Sequence, residues 1–172
     1  MKLHRSILFW SGLLIIAFLA WAWRDSERQW TIAAKGEFML NHAWGGLGLD
    51  VGVHPPSSSF EFERMSVADG YRHTPEMFPP PFFLRTSDVT EAESDELWTR
   101  LMSDQTGQGA PYFTVHEITK LGAEAKSSPG WTLFIPYWLL ILLTALLTAA
   151  PLLWLARRRK RKLANVELPN DE

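Results

Sequence analysis

The stretch Leu47-Gly48-Leu49-Asp50-Val51-Gly52-Val53-His54 alternates strictly between apolar residues and small or polar ones. A period of two puts Leu47, Leu49, Val51 and Val53 on one side of an extended chain and Gly48, Asp50, Gly52 and His54 on the other. That is the pattern of a half-buried strand, not of a helix. The apolar set is expected to face a core, and the glycines opposite to admit a neighbouring backbone. Pro55-Pro56-Ser57-Ser58 breaks the run before Phe60-Glu61-Phe62-Glu63 alternates again, so residues 47–63 read as two antiparallel strands joined by a loop. Upstream, residues 30–40 read as a first, weaker strand.

Downstream, residues 68–81 are rich in Gly and Pro, and Pro79-Pro80-Pro81 is expected to be an extended connector. Thr90-Glu91-Ala92-Glu93 fits a capping box, in which hydroxyl and carboxylate satisfy the free N–H groups of a helix start. Leu97, Trp98, Leu101 and Met102 supply an apolar stripe, so a helix is predicted over residues 91–103. The aromatic and β-branched content of residues 112–119 predicts a last strand, and residues 120–130 a flexible lead-out. The sum is a small α+β domain over residues 24–130, with a mostly antiparallel sheet and one helix on its apolar face.

This domain lies between two apolar runs, residues 6–23 and 131–155, that contain no Asp, Glu, Lys, Arg or His. As helices they are about 27 Å and about 37 Å long, enough to cross a hydrocarbon core of about 30 Å. Trp10, Trp21, Trp23, Trp131, Trp138 and Trp154 lie near their ends, where an indole settles at headgroup level. A rival reading of the first run is a cleavable signal peptide, since Ala20-Trp21-Ala22 fits a small-x-small cleavage pattern. Residues 1–5 and 156–172 are basic flanks. Arg157, Arg158, Arg159, Lys160, Arg161 and Lys162 follow the second run directly and predict a cytoplasmic C-terminus held to an anionic inner leaflet. The intervening segment, with sixteen acidic and nine basic side chains, is then extracytoplasmic. Within the second run, Thr144 with Thr148 and Ala145 with Ala149 place small residues at four-residue spacing, a pattern that lets helices approach closely in lipid.

The chemistry-bearing residues form no recognised constellation. There is no cysteine, which excludes disulfides and thiolate metal sites. His42, His54, His73 and His116 are scattered, without an HExxH motif. Glu91, Glu93, Asp95 and Glu96 complement the dipole of the predicted helix start. No GxSxG elbow occurs. Ala43-Trp44-Gly45-Gly46-Leu47-Gly48 lacks the Lys-Ser/Thr of a phosphate loop and reads as a turn with a packed or ligand-facing Trp44. No cofactor or nucleic acid is expected.

The second run, Ile135-Pro136-Tyr137-Trp138-Leu139-Leu140 through Pro151-Leu152-Leu153-Trp154-Leu155 and the basic residues after it, resembles a group of small bacterial membrane proteins. These are two-span proteins with a Pro-aromatic-Trp second span and an Arg-rich C-terminal tail. Residues 9–23, followed by Arg24-Asp25-Ser26, are similar to them as well. The resemblance covers the spans and implies the topology of a bacterial cytoplasmic membrane protein, but no catalytic residue. The expected role is therefore non-enzymatic, an envelope interaction or scaffold protein that contacts a membrane or envelope protein. An envelope enzyme or accessory subunit using Asp50, His54 or His116, or a small-molecule sensor, are the alternatives.

Overall fold

The computed structural model describes residues 7–53, 57–66, 78–103, 113–124 and 129–164. Helix α1 (Ile7–Ser26) leads into strands β1 (Gln29–Gly36), β2 (Phe38–Ala43), β3 (Gly46–Val51) and β4 (Ser57–Ser66). Strand β5 (Phe82–Arg85), helices α2 (Glu91–Ser103) and α3 (Val115–Glu124), strand β6 (Trp131–Pro136) and helix α4 (Tyr137–Ala164) follow. The six strands form one antiparallel sheet in the order β4-β1-β2-β3-β6-β5. Its first four strands have the spatial order of a Greek key, with β4 returning to the outer side of β1. The fold is α+β.

The chain divides into two compact units, Trp21–Trp138 and the paired segments Met1–Ala20 and Leu139–Glu172. The first contains the sheet with α2 and α3. The second is helical. Two helices, over Ile7–Ser26 and Tyr137–Trp154, are long and apolar enough to cross a membrane.

Several expectations need correction. Residues 30–40 are not one strand. Gly36, with φ of 61°, turns the chain into a hairpin of β1 and β2. Residues 131–136 are not the start of a helix but β6, an inner strand between β3 and β5. A fully apolar run fits a buried strand as well as a span, and the β-branched and aromatic Trp131-Thr132-Leu133-Phe134-Ile135 favours the strand. The helix starts at Tyr137 and continues through Pro151 into the basic residues. The expected last strand over residues 112–119 is not found at residues 113–119, and residue 112 lies outside the described residues. Only Phe113 makes a bridge, and α3 starts at Val115.

The faces of β3 are also reversed. Gly46, Gly48 and Asp50 are buried, while Leu47, Leu49 and Val51 are only half-buried. The buried side is the crowded one. The Phe134 ring lies where a Gly46 side chain would stand, and only glycine leaves it room. Gly52, with φ of 68°, then turns the chain so that Val53 joins the covered side.

Helices α2 and α3 both begin with capping boxes. Thr90 N–H donates to Glu93 Oε2 and Glu93 N–H to Thr90 Oγ1; Thr114 and Glu117 repeat the exchange. Arg100 to Glu117 at 2.7 Å and Lys120 to Glu93 at 3.1 Å tie the two helices together. Leu97 of α2, Phe113, and Ile118 and Leu121 of α3 form the core cluster, on which Trp44 and Trp98 pack.

Candidate functional site

The turn between β2 and β3 consists of Trp44 and Gly45, both with positive φ, 51° and 78°. This is the two-residue hairpin geometry that matches strand twist. Glycine adopts it freely, but a bulky side chain such as Trp44 does so at a cost of about 1–3 kcal/mol. The Trp44 N–H donates to the Ser26 carbonyl at 2.9 Å, and its indole lies 5.0 Å from that of Trp30. The strained residue thus presents an indole to the covered side of the sheet.

Beside it is a cavity of about 180 Å³, lined from the sheet by Trp30, Asn41, Trp44, Asp50 and Phe134 and from the helices by Trp98, Ile118 and Gly122, among others. Asp50 is 5% exposed. The Trp30 Nε1–H donates to Asn41 Oδ1, and the Asn41 amide donates to Asp50 Oδ2. A buried carboxylate therefore sits among three indole rings. The alternation in β3 identified Asp50 as lying on the strand, but placed it on the outward side. Strand and helix packing alone accounts for Trp30 and Trp98 in the sequence. The signal that marks them is the return of aromatic residues to one cavity from β1, the β2–β3 turn and α2.

A second cluster joins α1, β2, β4 and the start of α4. His42 on β2 places Nδ1 2.5 Å from the Tyr137 hydroxyl and Nε2 3.2 Å from Asp25 Oδ2, and Arg64 on β4 donates to Asp25 Oδ1 at 2.7 Å. Ser26 accepts the Gly45 N–H on its hydroxyl, and Tyr137 N–H donates to the Gly45 carbonyl. Tyr137 is buried. The cluster is a clamp on α1, β2, β4 and the start of α4.

The opposite face of the sheet is apolar and open. Strand register places Phe38, Leu40, Leu47, Leu49, Val51, Phe60, Phe62, Phe83, Trp131, Leu133 and Ile135 on it. Phe38, Phe60 and Phe62 are 60–64% exposed. Its charged side chains among the described residues are Lys35, Arg64 and Arg85, all basic, whereas the strands' charges on the covered face are Asp50, Glu61 and Glu63, all acidic.

Among the expected anchors, Trp10, Trp21 and Trp154 point outward, and Arg158 stacks on Trp154. Trp131 stands on β6 near Phe83 rather than in a helix. Trp23 and Trp138 both contact Phe78, and Trp138 Nε1–H donates to the Pro79 carbonyl at 2.8 Å, so they hold the extended segment before β5. Arg157 is exposed, and Arg159, Lys160, Arg161 and Lys162 lie in the last turns of α4. In the helical unit, Ala145, Thr148 and Ala149 face α1 across a groove also lined by Gly12, Leu13 and Ile16. Thr144 hydrogen-bonds its own helix at Leu140. His116 stacks on Phe82 at 4.9 Å, while His54 and His73 lie outside the described residues.

No protein-family model, curated protein or solved structure matches the chain.

Proposed function

We propose that this chain is a non-enzymatic docking protein of a bacterial cytoplasmic membrane, with both termini cytoplasmic and the sheet unit on the extracytoplasmic side. The open sheet face binds a protein partner whose own apolar surface is rimmed by carboxylates. The carrying observation is the eleven-residue apolar face, on which the strands' own charges are Lys35, Arg64 and Arg85, with Arg64 paired to Asp25 at its margin. Soluble monomers rarely leave a large contiguous apolar surface open. Like charges on two copies would repel, which favours a different partner over self-association. The anchoring supports come from the two apolar helices and the six basic residues after the second.

Photo-crosslinking of the full chain in native membranes tests this. A photoreactive side chain at Phe38 or Phe62 should give a discrete protein adduct, lost on Phe60→Ser, whereas one at exposed Glu96 of α2 should give none. Adducts to lipid alone, or equal adducts from Glu96, would remove the docking reading. A reporter active only outside the cytoplasm should work when inserted after residue 70 and fail after residue 172. The reverse result would remove the topology.

A further inference from the structure

We propose that Phe78, on the proline segment before β5, is a lipid contact of the sheet unit, seated at the boundary between headgroups and acyl chains of the adjacent leaflet. This contact presupposes that α1 and α4 span the membrane, and it adds a third attachment to the two places where the chain enters the bilayer. Phe78, Trp23 and Trp138 all belong to the sheet unit. Trp23 immediately precedes Arg24, the first charged side chain of α1, and Trp138 is the second residue of α4. Both therefore stand where an apolar helix meets the polar domain, the level at which an indole settles in a bilayer. The Phe78 ring lies 6.1 Å from that of Trp23 and 6.2 Å from that of Trp138, so its depth follows from theirs. It is nevertheless 63% exposed, which leaves most of its apolar surface to the surroundings and not to the core. Its position is held from behind. Pro79 is fully buried, and the Trp138 Nε1–H donates to its carbonyl at 2.8 Å. A Cβ on Gly45 would lie 3.3 Å from Trp23 Nε1 and 3.6 Å from Pro79 Cγ, so the turn between β2 and β3 backs both the indole and the proline. The backbone suits the place as well. Pro79, Pro80 and Pro81 carry no N–H and bring no donor that needs a partner where water is scarce. Residues 78–84 contain no charged side chain. Continuity with the ends of two apolar helices selects lipid over a protein as the occupant.

The test is a depth measurement by spin labelling. The native chain has no cysteine, so Phe78→Cys, Leu147→Cys and Glu96→Cys each carry a single nitroxide, in the full chain reconstituted into phosphatidylcholine vesicles. Leu147 is exposed on α4 and Glu96 on α2. Collisions with oxygen, which concentrates in lipid, are compared with collisions with a water-soluble nickel chelate. The oxygen-to-nickel ratio at position 78 should exceed that at position 96 severalfold and lie below that at position 147. Equal ratios at 78 and 96, with 147 in the hydrocarbon, would overturn the lipid contact and leave the spanning arrangement intact. Equal ratios at 147 and 96 would overturn both. Shielding of position 78 from both reagents would mean burial against protein and would also overturn the lipid contact. The nitroxide replaces the ring it reports on, so a photoreactive phenylalanine at position 78 supplies a second measurement in the same vesicles. Adducts with phospholipid are expected, and their absence would overturn the assignment.

Discussion

The ring of Phe134 occupies the space that a side chain at Gly46 would need: a Cβ there would lie 2.7 Å from Phe134 Cε2 and 2.9 Å from the Ile135 carbonyl oxygen. These residues are on the adjacent strands β3 and β6, so the backbone cannot move apart without breaking the ladder. Gly46→Ala is expected to destabilise the sheet unit by about 1–3 kcal/mol through overpacking. Gly122→Ala, in open space on α3, should instead stabilise it by up to about 1 kcal/mol. Denaturant titration of the full chain in micelles measures both. An unchanged midpoint for Gly46→Ala would contradict the β3–β6 register.

Strand β6 also decides where the sheet unit can be cut. A fragment of residues 24–130 lacks it, which separates β5 from β3 and removes Thr132 and Phe134 from the covered face. Such a fragment should show no cooperative melting transition. A fragment of residues 24–138 retains β6 and Tyr137, the partner of His42, and should melt cooperatively. Circular dichroism during thermal denaturation compares them, and equal transitions would mean that β6 is dispensable.

The contrast between α2 and α3 shows what local sequence could reveal. Both helices start with Thr-x-x-Glu, but the first has two acidic residues in its first turn, Glu91 and Glu93, and the second only Glu117. The second begins Val115-His116, and those residues suit a strand equally well by propensity. Its helical state is secured by the Thr114–Glu117 exchange and by Arg100, which is remote in sequence. The alternation of β3 identified the strand correctly but not its covered side. That depends on Phe134, α2 and α3, all forty or more residues away. Asp50 and Trp44 could be singled out one at a time; their convergence with Trp30 and Trp98 needed the fold.

In the helical unit, Gly12 and Thr148 make the closest approach that can be tested. A Cβ at Gly12 would fall 2.5 Å from Thr148 Cγ2, well inside van der Waals contact. Small residues at such a crossing let helices pack in lipid. The native chain has no cysteine, so Leu13→Cys with Ala149→Cys provides a crosslinking pair without background. Adding Gly12→Leu should reduce crosslinking several-fold, whereas Leu14→Ala, on an exposed position, should not. Equal yields in the two variants would exclude the crossing.

Acid should destabilise the helical layer over the sheet in two steps. Burial pushes the His116 imidazole below its ordinary value of 6.5, and nearby Lys120 adds to this, against weaker opposition from Glu117 and Glu93. For Glu117, burial alone would raise the carboxyl, but the Thr114 N–H, the Arg100 guanidinium and the Thr114 hydroxyl outweigh it and hold it below its ordinary value of 4.5. In both cases the unfolded chain binds more protons than the folded one, so stability rises with pH. The His116 contribution is complete above 6.5 and is lost as pH falls through its lower folded value. The Glu117 contribution is complete above 4.5 and is lost at more acidic pH. His116→Phe keeps a ring against Phe82 and should remove the first step while leaving the second. Glu117→Gln should lower stability by about 1 kcal/mol at neutral pH, because Arg100 loses its charged partner, and should approach the native chain in strong acid. Denaturant midpoints measured across this pH range would separate the two contributions. A first step that persists in His116→Phe would assign the titration to another group.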